Sequence, residues 1–369
     1  MCTGGSIVEY GSIPSRTTNI TINNMQSSIR QSNFEVLRLV LMLFILIHHG
    51  IVMALGLGGI AGEYGWVCHL QDADIPLMFF VNSFCIVAVN AFILISGYFG
   101  IKLKSHKVWS LFFAMMFYTL LFSSLPYLLQ GDVKHAIISA APFSQTQYWF
   151  VREYFFLMLF APLLNHLFDT YSKKQVILFI AVLVLISCYI GFVWQKSVNR
   201  NGYNFVNFML LYSIGRYLRQ YNFQLRKYTN LAGYIVCSMA LGGICVFFAQ
   251  NGHKDLSWQM TYYNNPLIIL SALFLFGFFR AIDLKSSFVN KISQSALSVY
   301  LFTSSVWISK LWYDWVLAQY SVNHRMGGGI LAIILATALL QYIVAILIDQ
   351  VRLFLWNKVS SKYLKNGLY

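Results

Sequence analysis

From about residue 34 to residue 356 the chain is a succession of apolar stretches, each close to the roughly 20 residues a helix needs to cross a bilayer. Ten can be read, at roughly 34–58, 74–99, 108–130, 148–169, 175–195, 203–219, 230–250, 263–282, 292–318 and 327–356. They predict an all-α integral membrane protein, a bundle of about ten transmembrane helices. The sixth stretch is short, and the second is interrupted by Asn82 and Asn90. Irregular chain at membrane depth is tolerated only where it is buried in protein or lines a cavity. The connecting loops are short, so no second soluble domain is expected, and no internal repeat is detectable. Residues 1–32, rich in Ser, Thr and Asn and without periodicity, read as a flexible cytoplasmic tail. They are not a signal peptide, because the apolar stretch that follows begins too late and is too long. The organisation expected is therefore a tail over 1–32, a multi-span membrane unit over 33–358 and a short basic cytoplasmic tail over 359–369.

Composition narrows the class further. The chain is 58% hydrophobic and only 10% charged, with a mean hydropathy of +0.62. A soluble domain has about 25% charged residues, so soluble, disordered and coiled-coil classes fall away. The formal net charge of +14 does not point to nucleic acid. With the N-terminus inside, 19 Lys and Arg lie in inner segments and 5 in outer loops, Arg152 and Lys310 falling within spans. That is a positive-inside signal, and it places both termini in the cytoplasm. The six cysteines show no zinc or redox spacing, and no metal is expected.

Ionisable residues inside spans are expensive, so each is a functional-site hypothesis. The first span carries Glu35, Arg38, His48 and His49. Glu35 and Arg38, three apart, share a helix face. Arg38 and His49 are eleven apart, about three turns at 3.6 residues per turn, which puts His49 on that face roughly 16 Å deeper. His48 points elsewhere and reads as structural. The alternative for Arg38 is a plain anchor at the inner end of the span, and for His49 a packed core histidine. Arg152 and Glu153 sit near the outer end of the fourth span beside Tyr148 and Trp149, where an interfacial anchor is the competing reading. Asn165 and His166 read as a cap at its inner end. Lys310 and Asp314 are spaced to pair across one helical turn. Ser96-Gly97 suggests a close backbone approach more than a serine nucleophile, since no Gly-x-Ser-x-Gly elbow is present. Basic clusters at Lys102–Lys107 and Arg216–Arg226 suit a phosphorylated cofactor, although the positive-inside rule alone accounts for them.

Taken in order, these blocks resemble integral membrane acyltransferase family three, over roughly residues 30–310. Asn33-Phe34-Glu35-Val36-Leu37-Arg38 with His48-His49 is similar to that family's opening, an Arg and a His separated by ten residues. Phe92 through Ser96-Gly97-Tyr98 is like its Ser-Gly-aromatic end of span two. Tyr148-Trp149-Phe150-Val151 leads on to Ala161-Pro162-Leu163-Leu164-Asn165. Leu211-Tyr212-Ser213-Ile214-Gly215-Arg216-Tyr217 resembles a block of the branch acting on capsules and exopolysaccharides. Ile292-Ser293-Gln294-Ser295 and Val299-Tyr300-Leu301-Phe302 match the last. Many members carry a histidine after that segment; here the position is Thr303. The paired arginines of members fused to an esterase-like domain are replaced by Lys102, Lys104, His106 and Lys107, and no such domain is expected.

The resemblance implies an O-acetyltransferase of the bacterial cytoplasmic membrane, multi-pass, moving an acetyl group from cytoplasmic acetyl-CoA to a sugar hydroxyl of a capsule, an exopolysaccharide or its lipid-linked precursor. Such chemistry needs a base, and histidine, with an unperturbed pKa of about 6.5, is the usual one. His49 is the expected general base, with Arg38 orienting donor or charge and Glu35 holding Arg38. His48, Ser96, Trp149, Arg152, Glu153, Tyr300 and Arg216 are expected to touch substrate or donor. The expected partners are acyl-CoA, the glycan and the bilayer; nucleic acid is not among them, and a homo-oligomer is left open. The rival is a glycan flippase or small-molecule transporter whose path the polar stripe would line, although the repeat symmetry common in transporters is absent.

Overall fold

The computed structural model describes residues 31–62, 67–144 and 146–363. No strand occurs among them. The helices run in chain order as α1 (Ser32–His49), α2 (Ile75–Cys85), α3 (Ala88–Phe99), α4 (Ser105–Thr119), α5 (Leu125–Leu129) and α6 (Val133–Ser139). They continue as α7 (Trp149–Thr170), α8 (Lys173–Val184), α9 (Phe205–Gln220), α10 (Lys227–Gln250), α11 (Lys254–Gln259) and α12 (Pro266–Arg280). The last are α13 (Ser287–Ile292), α14 (Ala296–Thr303), α15 (Val306–Ser321) and α16 (Gly327–Tyr363).

Among the described residues, six helical segments are long and apolar enough to cross a membrane: Ser32–Ala54, Ile75–Phe99, Ser105–Leu129, Lys173–Val193, Lys227–Gln250 and Gly327–Ser361. The other expected stretches are helical too, but shorter or more polar. α9 and α12 are short, α7 carries Arg152, Glu153, His166 and Asp169, and the ninth stretch breaks between α14 and α15. At that break Ser305 adopts an extended backbone and its hydroxyl donates to the Phe302 carbonyl, 2.7 Å away. A serine there gives the chain a local partner in place of the helical ladder. The expected tail over 1–32 lies outside the described residues except for Gln31 and Ser32. α16 runs to Tyr363, past residue 358 where the membrane unit was expected to end; residues 364–369 lie outside the described chain.

Helix starts follow local chemistry. Ser172 and Gln175 form a capping box on α8, and the Asn204 carboxamide accepts from the Val206 and Asn207 amides at the start of α9. Asn265 does the same for Leu267, with Pro266 in the first turn of α12. Such side chains satisfy amides that the first turn leaves without helical partners.

α1 is the hub, packing against α2, α3, α12, α13, α14 and α16. Its start is latched from two sides: the Ser32 hydroxyl accepts from the Ser286 amide at 2.9 Å, and Asn33 donates to the Phe279 carbonyl at 3.0 Å. After His49 the helix widens into a π turn, Gly50–Ala54, a feature often found at functional sites. α3 crosses α9 where Gly97 meets the Tyr212 backbone and Gly215 meets the Leu94 carbonyl; a Cβ at either position would collide with backbone. Two of the sequence blocks noted above are thus the two halves of one helix crossing.

α16 separates its faces cleanly. Ile330, Ile334, Ala338, Tyr342, Ala345, Asp349 and Arg352 are buried, in steps of three and four, while Leu335, Leu339, Leu340, Ile343, Leu347, Val351 and Phe354 are exposed. The exposed stripe is the face a hydrocarbon solvent would meet. At 37 residues the helix is about 55 Å long, well beyond the roughly 30 Å hydrocarbon core.

Candidate active site

Two joined chambers open between α1, α3, α4, α7, α14 and α16, at the end of the bundle where α1 begins and α16 ends. The wide one, about 520 Å³, is lined by Arg38, Ser96, Gly100, His106, Lys107, Arg352 and Trp356, among others. The inner one, about 210 Å³, is more apolar, with Met42, Ile45, Phe92, Phe150, Val151 and Tyr300 in its wall. They meet along Arg38, Ser96, Tyr154, Gln294 and Leu297. One path therefore runs from a basic mouth into a small apolar interior.

α1 supplies one side of that path. Arg38, Met42 and Ile45 face it, and His49 is the next residue on the same stripe, spaced four, three and four. The expected ion pair is present: Arg38 Nη1 donates to Glu35 Oε1 at 2.5 Å. Glu35 is buried, while Arg38 keeps part of its guanidinium open to the cavity. His49 is half-buried, and its Nδ1 is buried without a hydrogen-bond partner. A buried polar atom left unpaired costs stability; His49 itself lines neither chamber and lies one turn beyond Ile45, the last α1 residue in the inner wall. His48 is the opposite case. It is buried, its Nδ1 lies 2.6 Å from the Asn82 carboxamide oxygen, and it faces α2 rather than the chambers. The two rings are 5.8 Å apart.

The remaining expected residues divide. Ser96 lines both chambers, its hydroxyl donating to the Phe92 carbonyl at 3.0 Å and lying 3.4 Å from the Tyr154 hydroxyl. Tyr300 lines the inner chamber and its hydroxyl donates to the Gln147 carbonyl at 2.6 Å. Trp149, Arg152 and Glu153 do not line it. Trp149 packs at a tilt against Tyr203 and stacks on Tyr263, and Arg152 pairs with Glu153 at 3.2 Å. On α7 the lining positions are Phe150, Val151 and Tyr154 instead.

Arg216 lies beneath the cavity floor, 3.6 Å from Asp169, with the Gly100 backbone against its guanidinium. Gly100 has a left-handed backbone, φ 72°, which glycine adopts freely. The turn that follows is pinned by Asn165, which donates to the Ile101 carbonyl at 3.0 Å and accepts from Tyr212 at 2.7 Å. Asn165 is therefore not the cap of α7, which continues to Thr170. Thr303 is buried, its hydroxyl returned to the Val299 carbonyl at 2.8 Å.

Sequence reasoning missed a polar centre on α16. Asp349 is fully buried and receives four hydrogen bonds: two from Arg352, at 2.5 and 3.1 Å, one from Ser298 at 2.6 Å and one from Tyr118 at 3.2 Å. The signal was available, because Asp349 and Arg352 fall on the same 3.6-period stripe as the apolar residues that pack α16.

Comparison with known proteins gives one match. The family model of the acyltransferase domain, acyltransferase family 3, matches residues 31–348. No curated protein and no solved structure matches. The match spans the α1 stripe, the Gly97–Gly215 crossing and most of the cavity wall, and the chain belongs to acyltransferase family 3.

Proposed function

We propose that the protein is a membrane O-acyltransferase that moves an acetyl group from cytoplasmic acetyl-CoA to a sugar hydroxyl of a surface polysaccharide or its lipid-linked precursor. In this reading the chain crosses a bacterial cytoplasmic membrane about ten times with both termini in the cytoplasm. The unit from α1 to α16 is one catalytic domain, with residues before Ser32 a cytoplasmic tail. The observation that carries the reading is the pair of chambers sharing a wall, with a guanidinium at their junction and, one helical turn beyond the inner wall on the same face of α1, an imidazole whose Nδ1 has no hydrogen-bond partner.

The chemistry assigns the parts. The wide chamber, with Arg38, His106 and Lys107 in its wall, suits the anionic head of the donor. The inner, apolar chamber suits the thioester arm. His49 takes the proton from the sugar hydroxyl as its oxygen bonds to the thioester carbonyl carbon. The carbon–sulfur bond then breaks, and the thiolate leaves and recovers a proton. Arg38, held by Glu35, balances the negative charge that develops on the carbonyl oxygen or on the donor. A neutral imidazole with one nitrogen unpaired is the form a base needs.

The test is release of free coenzyme A by purified protein given acetyl-CoA and glycan acceptor. Wild-type protein is expected to release it, and His49→Ala to lose about 10²–10⁴-fold in rate while melting normally in detergent. Near-normal transfer by His49→Ala removes His49 from this role. Acceptor-dependent glycan movement without coenzyme A release would favour a transporter.

A further inference from the structure

We infer that Arg352 is a second anion-binding guanidinium of the wide chamber, locked by Asp349 and aimed at the phosphate groups of the acyl donor. The inference rests on the donor reading given above and adds a residue that lies beyond the region matched by the family, which ends at residue 348.

Arg352 lines the wide chamber although its residue surface is almost wholly buried. Its Nε and one Nη are consumed by Asp349, at 2.5 and 3.1 Å. This forked pairing fixes the plane of the guanidinium and leaves its remaining N–H groups for a ligand. Asp349 is itself fixed by Ser298 and Tyr118, and Ser298 is also part of the chamber wall. A guanidinium held so firmly loses little conformational entropy when an anion arrives.

The charge balance around the chamber supports the assignment. Arg38 and Arg352 each carry a carboxylate partner. His106 and Lys107 stand on the same wall; Lys107 has no ion pair among the described residues. No carboxylate is among the residues that line the chamber, so the surplus there is positive. A pure structural ion pair would not need to present its cation to an open cavity. The ligand chemistry that fits is a polyanion with a long neutral arm: phosphate groups at the wide mouth and the arm in the inner chamber.

The test measures equilibrium binding of coenzyme A, dephospho-coenzyme A and pantetheine to the purified full-length protein in detergent. The variants are Arg352→Lys and the neutral pair Asp349→Asn/Arg352→Gln, which leaves no buried carboxylate unbalanced. Both are expected to weaken coenzyme A binding, the neutral pair by about tenfold or more, the loss of one charge-assisted contact. The preference for coenzyme A over phosphate-free pantetheine should shrink by the same factor. An unchanged preference, with or without a general loss of binding, overturns the role of Arg352 and leaves the donor reading standing. Failure of wild-type protein to bind coenzyme A at all overturns both.

Discussion

The first and last helices of the described chain each bring one arginine to the same cavity, and each arginine is held by an acid three residues earlier. The settings differ. Glu35 and Arg38 have side-chain exposures of 7% and 29%, and a single hydrogen bond of 2.5 Å joins them. Asp349 and Arg352 have exposures of 0% and 6%, two hydrogen bonds join them, and Ser298 and Tyr118 complete the acid. Arg38 can exchange its partner for a substrate at small cost, because water already reaches it. Arg352 cannot, because Asp349 would be left charged and unsolvated. A carboxylate and an arginine three apart therefore make an adaptable group on His49's stripe and a rigid fixture at the mouth.

The largest effect should come from breaking the rigid pair. Asp349→Ala is expected to cost about 3–5 kcal/mol, as removal of one partner from a buried ion pair does, read as a large drop in detergent melting temperature. Glu35→Ala should cost about 1 kcal/mol or less, nearer the surface-pair value. Equal losses would erase the distinction between the two pairs. Next is the contrast within α1 itself. Asn82→Ala leaves the His48 ring without its partner and should cost about 1–3 kcal/mol of stability, with coenzyme A release per folded molecule within about threefold of wild type. A collapse of turnover without loss of stability would move His48 into the chemistry. Arg38→Lys keeps the charge and loses the planar fork; it should slow transfer about tenfold while melting stays unchanged. The smallest effect belongs to the exposed Lys310–Asp314 pair, 2.7 Å apart with both side chains about two-thirds exposed. Lys310→Ala should change stability by about 0.5 kcal/mol or less, and a larger shift would mean that exposure is a poor guide to pair strength here.

Much of this was legible in the pattern of apolar positions. Helical period alone placed Arg38 and His49 on one face, and spacing alone paired Glu35 with Arg38 and Lys310 with Asp314, because these relations lie within one helix. The Ser-Gly-Tyr block announced a close approach, and the Gly97–Tyr212 contact is that approach. What the sequence could not place depended on a neighbour. Trp149, Arg152 and Glu153 drew attention by polarity and position, yet on α7 the cavity is walled by Phe150, Val151 and Tyr154, whose chemistry looks like ordinary packing until α1 and α14 are set beside them. Arg352 stands in sequence as one basic residue among those at the inner helix ends, which is what an anchor looks like. In sequence only its place on the apolar stripe of α16 separates the two meanings; in the structure the difference is burial beside Tyr118 and Ser298, residues 231 and 51 positions away from Asp349.

The local spacing of both pairs has a consequence for how the protein is made. At about 5–20 residues per second, roughly 15–60 s separate the synthesis of Arg38 from that of Arg352. For that interval the first helix must wait in or beside the membrane with the opposite wall of its cavity still unmade. An arginine whose only counter-charge arrived with the last helix would spend that time without a charge partner. Because Glu35 lies three residues before Arg38 on the same helix, the pair can close as soon as that helix forms, and Asp349 offers the same to Arg352. Each half of the site enters the bilayer already balanced, and assembly brings together two finished pieces.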